Sequence, residues 1–316
     1  MDELVILKSY KDVKAKKIEW IWKPYIACGK ITILQGDPGD GKSTLALKLC
    51  SILTSDIETK EKIDGVIDGT INVIYQSAED DPEDTIKPKL NKLKSNTDKL
   101  MYVVNDEIID LTSNALKNII EKANAKLIIL DPLQSFIKKG ENMLVATDVR
   151  KMMKNLTKIA NETNCAILLI GHLNKSEGKK DLYRGLGSID LTAVARSVLY
   201  LKRSDLDSRI RIMYQIKNSL AAEGYPVAYK LDDKKGMIWL GKYTNEELTT
   251  EKATKDKLSV AKDFLLRILS NVEKIEVSEL KELCTNYNIS YRTLVRAKKE
   301  LEIESIRANG KWYWKY

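Results

Sequence analysis

The run Gly36-Asp37-Pro38-Gly39-Asp40-Gly41-Lys42-Ser43-Thr44 carries the densest chemistry in the chain, because it fits the spacing G-x-x-x-x-G-K-[ST]. Its glycines let the backbone curl so that successive N–H groups point inward, and a helix N-terminus behind them adds partial positive charge. That is a phosphate-binding loop. Lys42 is placed to reach the β- and γ-phosphates of a nucleotide, and the Ser43 hydroxyl suits Mg²⁺. Breaking the terminal phosphate bond further needs a second metal ligand, a group that handles the proton of water, and a group that senses the γ-phosphate. Asp131, after the apolar run Leu127-Ile128-Ile129-Leu130, is the candidate metal ligand. Glu79, just past Asn72 to Ser77, is the candidate base, and His172, the single histidine of the chain, the candidate sensor.

Those residues need a scaffold that brings separate strand ends together. Ile31 to Leu34 reads as a buried strand, and the apolar spacing from Leu45 to Leu49 reads as the helix after the loop. Asn72–Ser77, Lys126–Asp131 and Ala166–His172 are further strands, with helices expected over 83–94, 114–123 and 147–161 and a short strand over 101–104. Strands that alternate with helices predict an α/β fold with a mainly parallel sheet, whose ligands sit at the carboxyl ends of the strands. The next runs, 198–201, 209–217, 227–231 and 237–240, are joined by short turns and predict antiparallel C-terminal hairpins. Trp20 and Trp22, beside the first strand, are expected to pack at the edge of the core.

At 316 residues the chain has room for two domains. Its apolar runs are too short to span a bilayer, and Met1-Asp2-Glu3 lacks the layout of a signal peptide, so no membrane and a cytoplasmic location are expected. Four cysteines without paired spacing argue against a zinc site or a disulfide framework. The net charge of +8 points to an anionic partner.

The domain expectation is 1–243 for the α/β part, a polar linker over 244–257, and a separate unit over 258–316. Helices over 258–270, 278–287 and 290–301, followed by an Asn309-Gly310 turn between strand-like flanks, describe a winged helix-turn-helix. Arg292, Arg296 and Lys299 share one face of the third helix, while Tyr291, Leu294, Val295 and Leu301 are grouped on the other. Such a domain serves either duplex DNA, which would meet the basic face, or the docking of another protein; duplex DNA is the expectation here.

As an ordered set, the phosphate loop, Ser77-Ala78-Glu79-Asp80, Leu130-Asp131-Pro132 and Gly171-His172-Leu173-Asn174-Lys175 resemble the RecA-like ATPases of the RepA/DnaB-type replicative helicase group. The likeness spans about residues 18–240 and is greatest to the RepA-like branch of phage and mobile elements. It implies a RecA-like P-loop core that uses ATP and Mg²⁺, with Glu79 catalytic and His172 as nucleotide sensor. It also implies a homo-oligomer, such as a hexamer, with ATP between subunits and a basic residue reaching in from the neighbour. In Gln215-Ile216-Lys217-Asn218-Ser219, Lys217 fits that residue, but Ser219 stands where DnaB-type helicases carry an arginine, for which Arg196, Arg203 or Arg209 would have to substitute. The loop over 174–188, with Lys175, Lys179, Lys180, Arg184 and Tyr183, matches the channel loops that hold single-stranded DNA. The expected function is therefore an ATP-driven helicase or translocase on single-stranded DNA. The alternative is a nucleotide-switched DNA-binding regulator or loader that does not unwind.

Overall fold

The computed structural model describes residues 7, 9–56, 61–105, 109–137, 146–172, 189–204, 206–270, 272–286 and 289–315. The chain divides into two compact units, one of residues 1–203 and 209–242, the other of 204–208 and 243–316.

In the first unit, β1 (Trp20–Trp22) and β2 (Ile26–Ala27) form a small antiparallel pair. Trp22 is buried, with ring centroids 4.6 Å from Tyr25 and 5.8 Å from Trp239, so it takes the packing role expected of it. There follow β3 (Ile31–Gly36), α1 (Lys42–Thr54) and β4 (Asn72–Ser77). The helix expected over 83–94 is a π-helical turn, Pro82–Ile86, that runs into a short α2 (Lys87–Lys92). Asp81 caps the turn by accepting the Glu83 N–H at 2.7 Å. Pro88, which has no N–H to give, sits in the first turn of α2, where the ladder restarts.

β5 (Leu100–Met101) is shorter than the strand expected over 101–104. Beyond it the Gln76 side chain stands in for a strand partner, accepting the Val103 N–H at 2.8 Å and donating to the Val103 carbonyl at 3.3 Å. The chain continues through α3 (Ala115–Ala123), β6 (Ala125–Asp131), α4 (Ala146–Thr163), β7 (Ala166–His172) and α5 (Ile189–Val194). It closes the unit with β8 (Ser197–Arg203), β9 (Ile210–Asn218), β10 (Val227–Asp232) and β11 (Gly236–Lys242).

All but β1 and β2 join one sheet in the order β11-β10-β9-β8-β3-β7-β6-β4-β5. From β8 to β5 the pairing is parallel, and from β8 to β11 antiparallel, as the sequence predicts. Side chains alternate between two cores: Leu34 joins α1 on one face, whereas Ile31 and Ile33 join α3 and α4 on the other. No helix among the described residues is long and apolar enough to cross a membrane.

The second unit contains α6 (Asn245–Leu269), β12 (Ile275–Glu276), α7 (Val277–Asn286), α8 (Tyr291–Glu300), β13 (Glu304–Ala308) and β14 (Lys311–Lys315). Its three strands are antiparallel in the order β12-β14-β13. The stretch 244–257, expected as a linker, is instead continuous with the following helix from Asn245 onward. Polar composition removes residues from a core but does not break a helix, and no Gly or Pro interrupts 245–269. Asn309 and Gly310 both have positive φ, +50° and +78°, which turns the chain tightly between β13 and β14.

Leu265, Leu280, Leu294, Ala297 and Trp314 are at the centre of this unit's core. On α8 the sequence grouping of Val295 with that core fails, since Val295 is 42% exposed. At 100° per residue it lies nearer the Arg292 and Arg296 edge than the Leu294 and Ala297 side. Replacing the fully buried Leu294 by Ala is expected to cost about 2–5 kcal/mol, read as loss of amide hydrogen-exchange protection across α7 and α8.

Candidate active site

β3 is buried along its whole length between two parallel neighbours, and its last residue starts the phosphate loop. Only glycine fits at position 36, where a Cβ would lie 2.4 Å from the Leu201 carbonyl oxygen of β8. Gly41, the N-cap of α1, is left-handed at φ +89°. Among the described residues, the N–H groups of Gly39, Gly41, Lys42, Ser43 and Thr44 form no hydrogen bond to protein; the first helical bond is Leu45 N–H to the Gly41 carbonyl, 3.0 Å. A row of unsatisfied donors at a helix N-terminus is an anion receptor.

Lys42 is buried, and its ammonium donates to the Gly36 and Asp37 carbonyls, both at 2.9 Å. Burial pulls its pKa down, opposed in decreasing order by the negative charges of Asp40, Asp131, Asp37 and Glu79. The charges of these four carboxylates thus all act on the cation that the sequence assigns to phosphate. Asp40 is also buried and accepts the Asp37 N–H at 3.1 Å; burial pushes its carboxyl up, and Lys42 and Arg203 oppose that rise.

Strand register gathers the remaining candidates. Gly36 pairs with His172, Leu130 with Leu169, and Ser77 with Asp131, so the carboxyl ends of β3, β7, β6 and β4 form one edge. Asp131 is buried there, its Oδ2 accepting the Tyr75 hydroxyl at 2.7 Å. Burial and this carboxylate together raise the Tyr75 pKa well above its ordinary value. Ser43 is half-buried in the first turn of α1, and Glu79 is exposed two residues past β4. No cluster of three or more His, Cys, Asp or Glu side chains that could hold a metal occurs among the described residues. The oxygens present, Ser43 Oγ and the Asp131 carboxylate, fit an ion that completes its shell with phosphate and water, as Mg²⁺ does.

Not every candidate meets this edge. Lys217 pairs with Val198, which is level with Ile33, so it lies toward the other end of the sheet from its own loop. There its ammonium donates to the Thr192 and Ala193 carbonyls at the end of α5, both at 2.8 Å. Burial and Arg196 lower its pKa. Lys175, Lys179, Lys180 and Arg184 lie outside the described residues. On α8, Arg292 and Lys299 are exposed and Arg296 is half-buried.

Two residues at the loop were not singled out from the sequence. Arg211 Nη2 donates to the Gly39 carbonyl at 3.4 Å, and the Tyr229 hydroxyl to the Gly41 carbonyl at 2.7 Å. Arg203, level with Arg211, also approaches the Gly39 carbonyl, at 3.5 Å. The available signal was weak: an arginine between Ile210 and Ile212 in a strand reads as solvent-facing, and Tyr229 reads as ordinary core.

The family model described as an AAA domain matches residues 6–178, more than half of the chain. The chain belongs to this AAA-domain family, AAA_25. The DNA repair protein RadA of Campylobacter jejuni is 25% identical to this AAA protein over 284 residues, 87% of this chain and 57% of that one. RadA of Rickettsia conorii is 29% identical over 204 residues, 63% of this chain and 40% of its own length. The chain thus spans about half the length of these curated relatives. Among solved structures, an ATPase domain superposes with a TM-score of 0.52 at 14% identity, covering 68% of this chain and 85% of that domain. A DnaB-like replicative helicase superposes at 0.50 and 14% identity, covering 66% and 56%. The fold is that of a RecA-like P-loop ATPase.

The burial of Lys42 gives a pH dependence. An unfolded chain, with lysine near 10.5, binds this proton more tightly than the folded one, so this contribution to stability grows as pH rises through the interval just below 10.5. Wild type is expected to gain stability relative to Lys42→Met across that interval in chemical denaturation.

Proposed function

We propose that this ATPase hydrolyses ATP to drive or control its movement on single-stranded DNA, as a ring-forming helicase or translocase. The observation that carries the hydrolytic part is the single sheet edge that holds Gly36, His172, Asp131 and Glu79 beside unsatisfied loop N–H groups. The triphosphate occupies the loop, and Lys42 exchanges its two carbonyl partners for phosphate oxygens. Mg²⁺, held by Ser43 and Asp131, would neutralise charge on those oxygens. Glu79 orients the attacking water and takes its proton as the β–γ bond breaks, and His172 senses the γ-phosphate.

The DNA part rests on the RadA and DnaB-like relatives, on the net charge of +8, and on the lysines and arginine of 174–188. The second unit's order of helix, strand, two helices and two strands supports a winged helix-turn-helix, with 1–243 as the ATPase domain. In that reading Arg292, Arg296 and Lys299 approach the phosphates of a duplex. A homo-oligomer would let Lys217 act on a neighbour's nucleotide, and the location is cytoplasmic.

A second reading, a nucleotide-switched regulator or loader, is favoured by Ser219 and by the engagement of Lys217 with carbonyls of its own chain.

ATP turnover with and without single-stranded DNA, with strand displacement on a forked duplex, separates the two. The helicase reading expects DNA to stimulate turnover and the fork to open. Glu79→Gln is expected to lower kcat by about 10²–10⁴-fold while ATP binding persists. No stimulation, with no ATP-dependent retention of DNA by wild type, would remove both readings; retention without unwinding selects the regulator.

A further inference from the structure

The loop's shape has to be held before any ligand arrives, and the strands that hold it are the antiparallel ones, far away in sequence. The Gly41 carbonyl takes two donors, the helical N–H of Leu45 at 3.0 Å and the Tyr229 hydroxyl of β10 at 2.7 Å. The Gly39 carbonyl faces Arg211 of β9 at 3.4 Å. Tyr229 is fully buried, and Arg211 is 4% exposed. A Cβ at position 41 would stand 2.8 Å from the Tyr229 hydroxyl oxygen and 3.7 Å from Arg211 Nε, so both side chains close on that glycine.

A planar trans peptide points its C=O and N–H in opposite directions. Fixing the Gly41 carbonyl toward Tyr229 therefore aims the Lys42 N–H to the other side, where it is unsatisfied. Arg211 holds the Gly39 carbonyl of the Gly39–Asp40 peptide, whose Asp40 N–H donates to the Asp37 carbonyl at 3.2 Å, so that this peptide is fixed at both ends within the loop. The Arg211 guanidinium and the Asp40 carboxylate also attract one another. That attraction offsets a negative charge buried where a polyanion must bind.

We propose that Tyr229 and Arg211 are positioning residues of the phosphate loop: Tyr229 holds the Gly41 carbonyl outward so that the Lys42 N–H already faces the incoming phosphates, and Arg211 fixes the Gly39–Asp40 peptide that sets the turn before it. The proposal rests on the reading that this loop binds a nucleoside triphosphate. Neither residue touches the ligand; each acts through a loop carbonyl. Pre-organisation of this kind appears as affinity, because an untethered loop has to be ordered at the moment of binding.

The test uses the full chain as wild type, Tyr229→Phe, Arg211→Met and Arg211→Lys. Affinity is measured with a fluorescent ATP analogue and by its displacement with inorganic tripolyphosphate, beside kcat, KM and the nucleotide-free Tm. Tyr229→Phe is expected to weaken both ATP analogue and tripolyphosphate by about three- to tenfold, the worth of one hydrogen bond, raising KM with kcat unchanged. Arg211→Met is expected to lose affinity likewise, with partial recovery in Arg211→Lys, which keeps the charge.

A merely structural role would lower Tm and leave both affinities as in wild type. That result in Tyr229→Phe and Arg211→Lys would overturn the proposal, as would a loss seen with the ATP analogue but absent with tripolyphosphate. Wild type that binds no ATP analogue would overturn the nucleotide reading and this proposal together, whereas wild-type binding with unchanged variants would remove the clamp alone.

Discussion

The site depends on the parallel register that sets Gly36 beside His172. β3 and β7 pair without a bulge from Ile31 and Ile167 up to that pair, and the next register sets Leu130 beside Leu169. Because side chains alternate with a period of two, a slip by one residue would exchange Ile167 and Leu169, packed with α4, for Ala166, Leu168 and Ile170, packed with α1, and neither core has the shape for the other's set. Burial of these apolar residues on both faces thus fixes the register. The register in turn fixes which strand ends reach the phosphate loop.

Around this apolar frame the loop concentrates polar groups that a core would avoid. Lys42, Asp40, Asp131 and Arg211 are all buried within its reach. Gln35, one residue before the loop, is fully buried with neither side-chain nitrogen nor oxygen hydrogen-bonded. Buried groups of this kind lower stability unless they are satisfied. A protein built only for stability would replace them. A site that must receive a polyanion keeps its donors and charges pre-arranged instead, and the strands of the sheet supply the stability that this arrangement lacks.

The motifs were legible because their chemistry is local. Gly36 to Thr44 needs only its own spacing, and the placement of Glu79, Asp131 and His172 at the ends of strands follows from the short apolar run before each. The antiparallel run after β8 was legible too, from turns that interrupt alternating segments. The misread features lie where a neighbour decides. Gln76 replaces a strand partner beside Val103, Pro88 divides a helix that composition presents as continuous, and the polar start of α6 joins a helix whose apolar half alone announced itself.

By itself the sequence determined the phosphate loop, the order of strands and helices, and the carboxylates available at strand ends, since propensity, spacing and turn chemistry act between near neighbours. Only the tertiary structure decided that Asp131 is held by Tyr75, that Lys217 turns to the carbonyls of α5, and that Arg211 and Tyr229 close on a loop far earlier in the chain. The physical reason is that a hydrogen bond depends on distance and direction in space. Residues brought together by sheet pairing leave no periodic mark on the sequence that separates them.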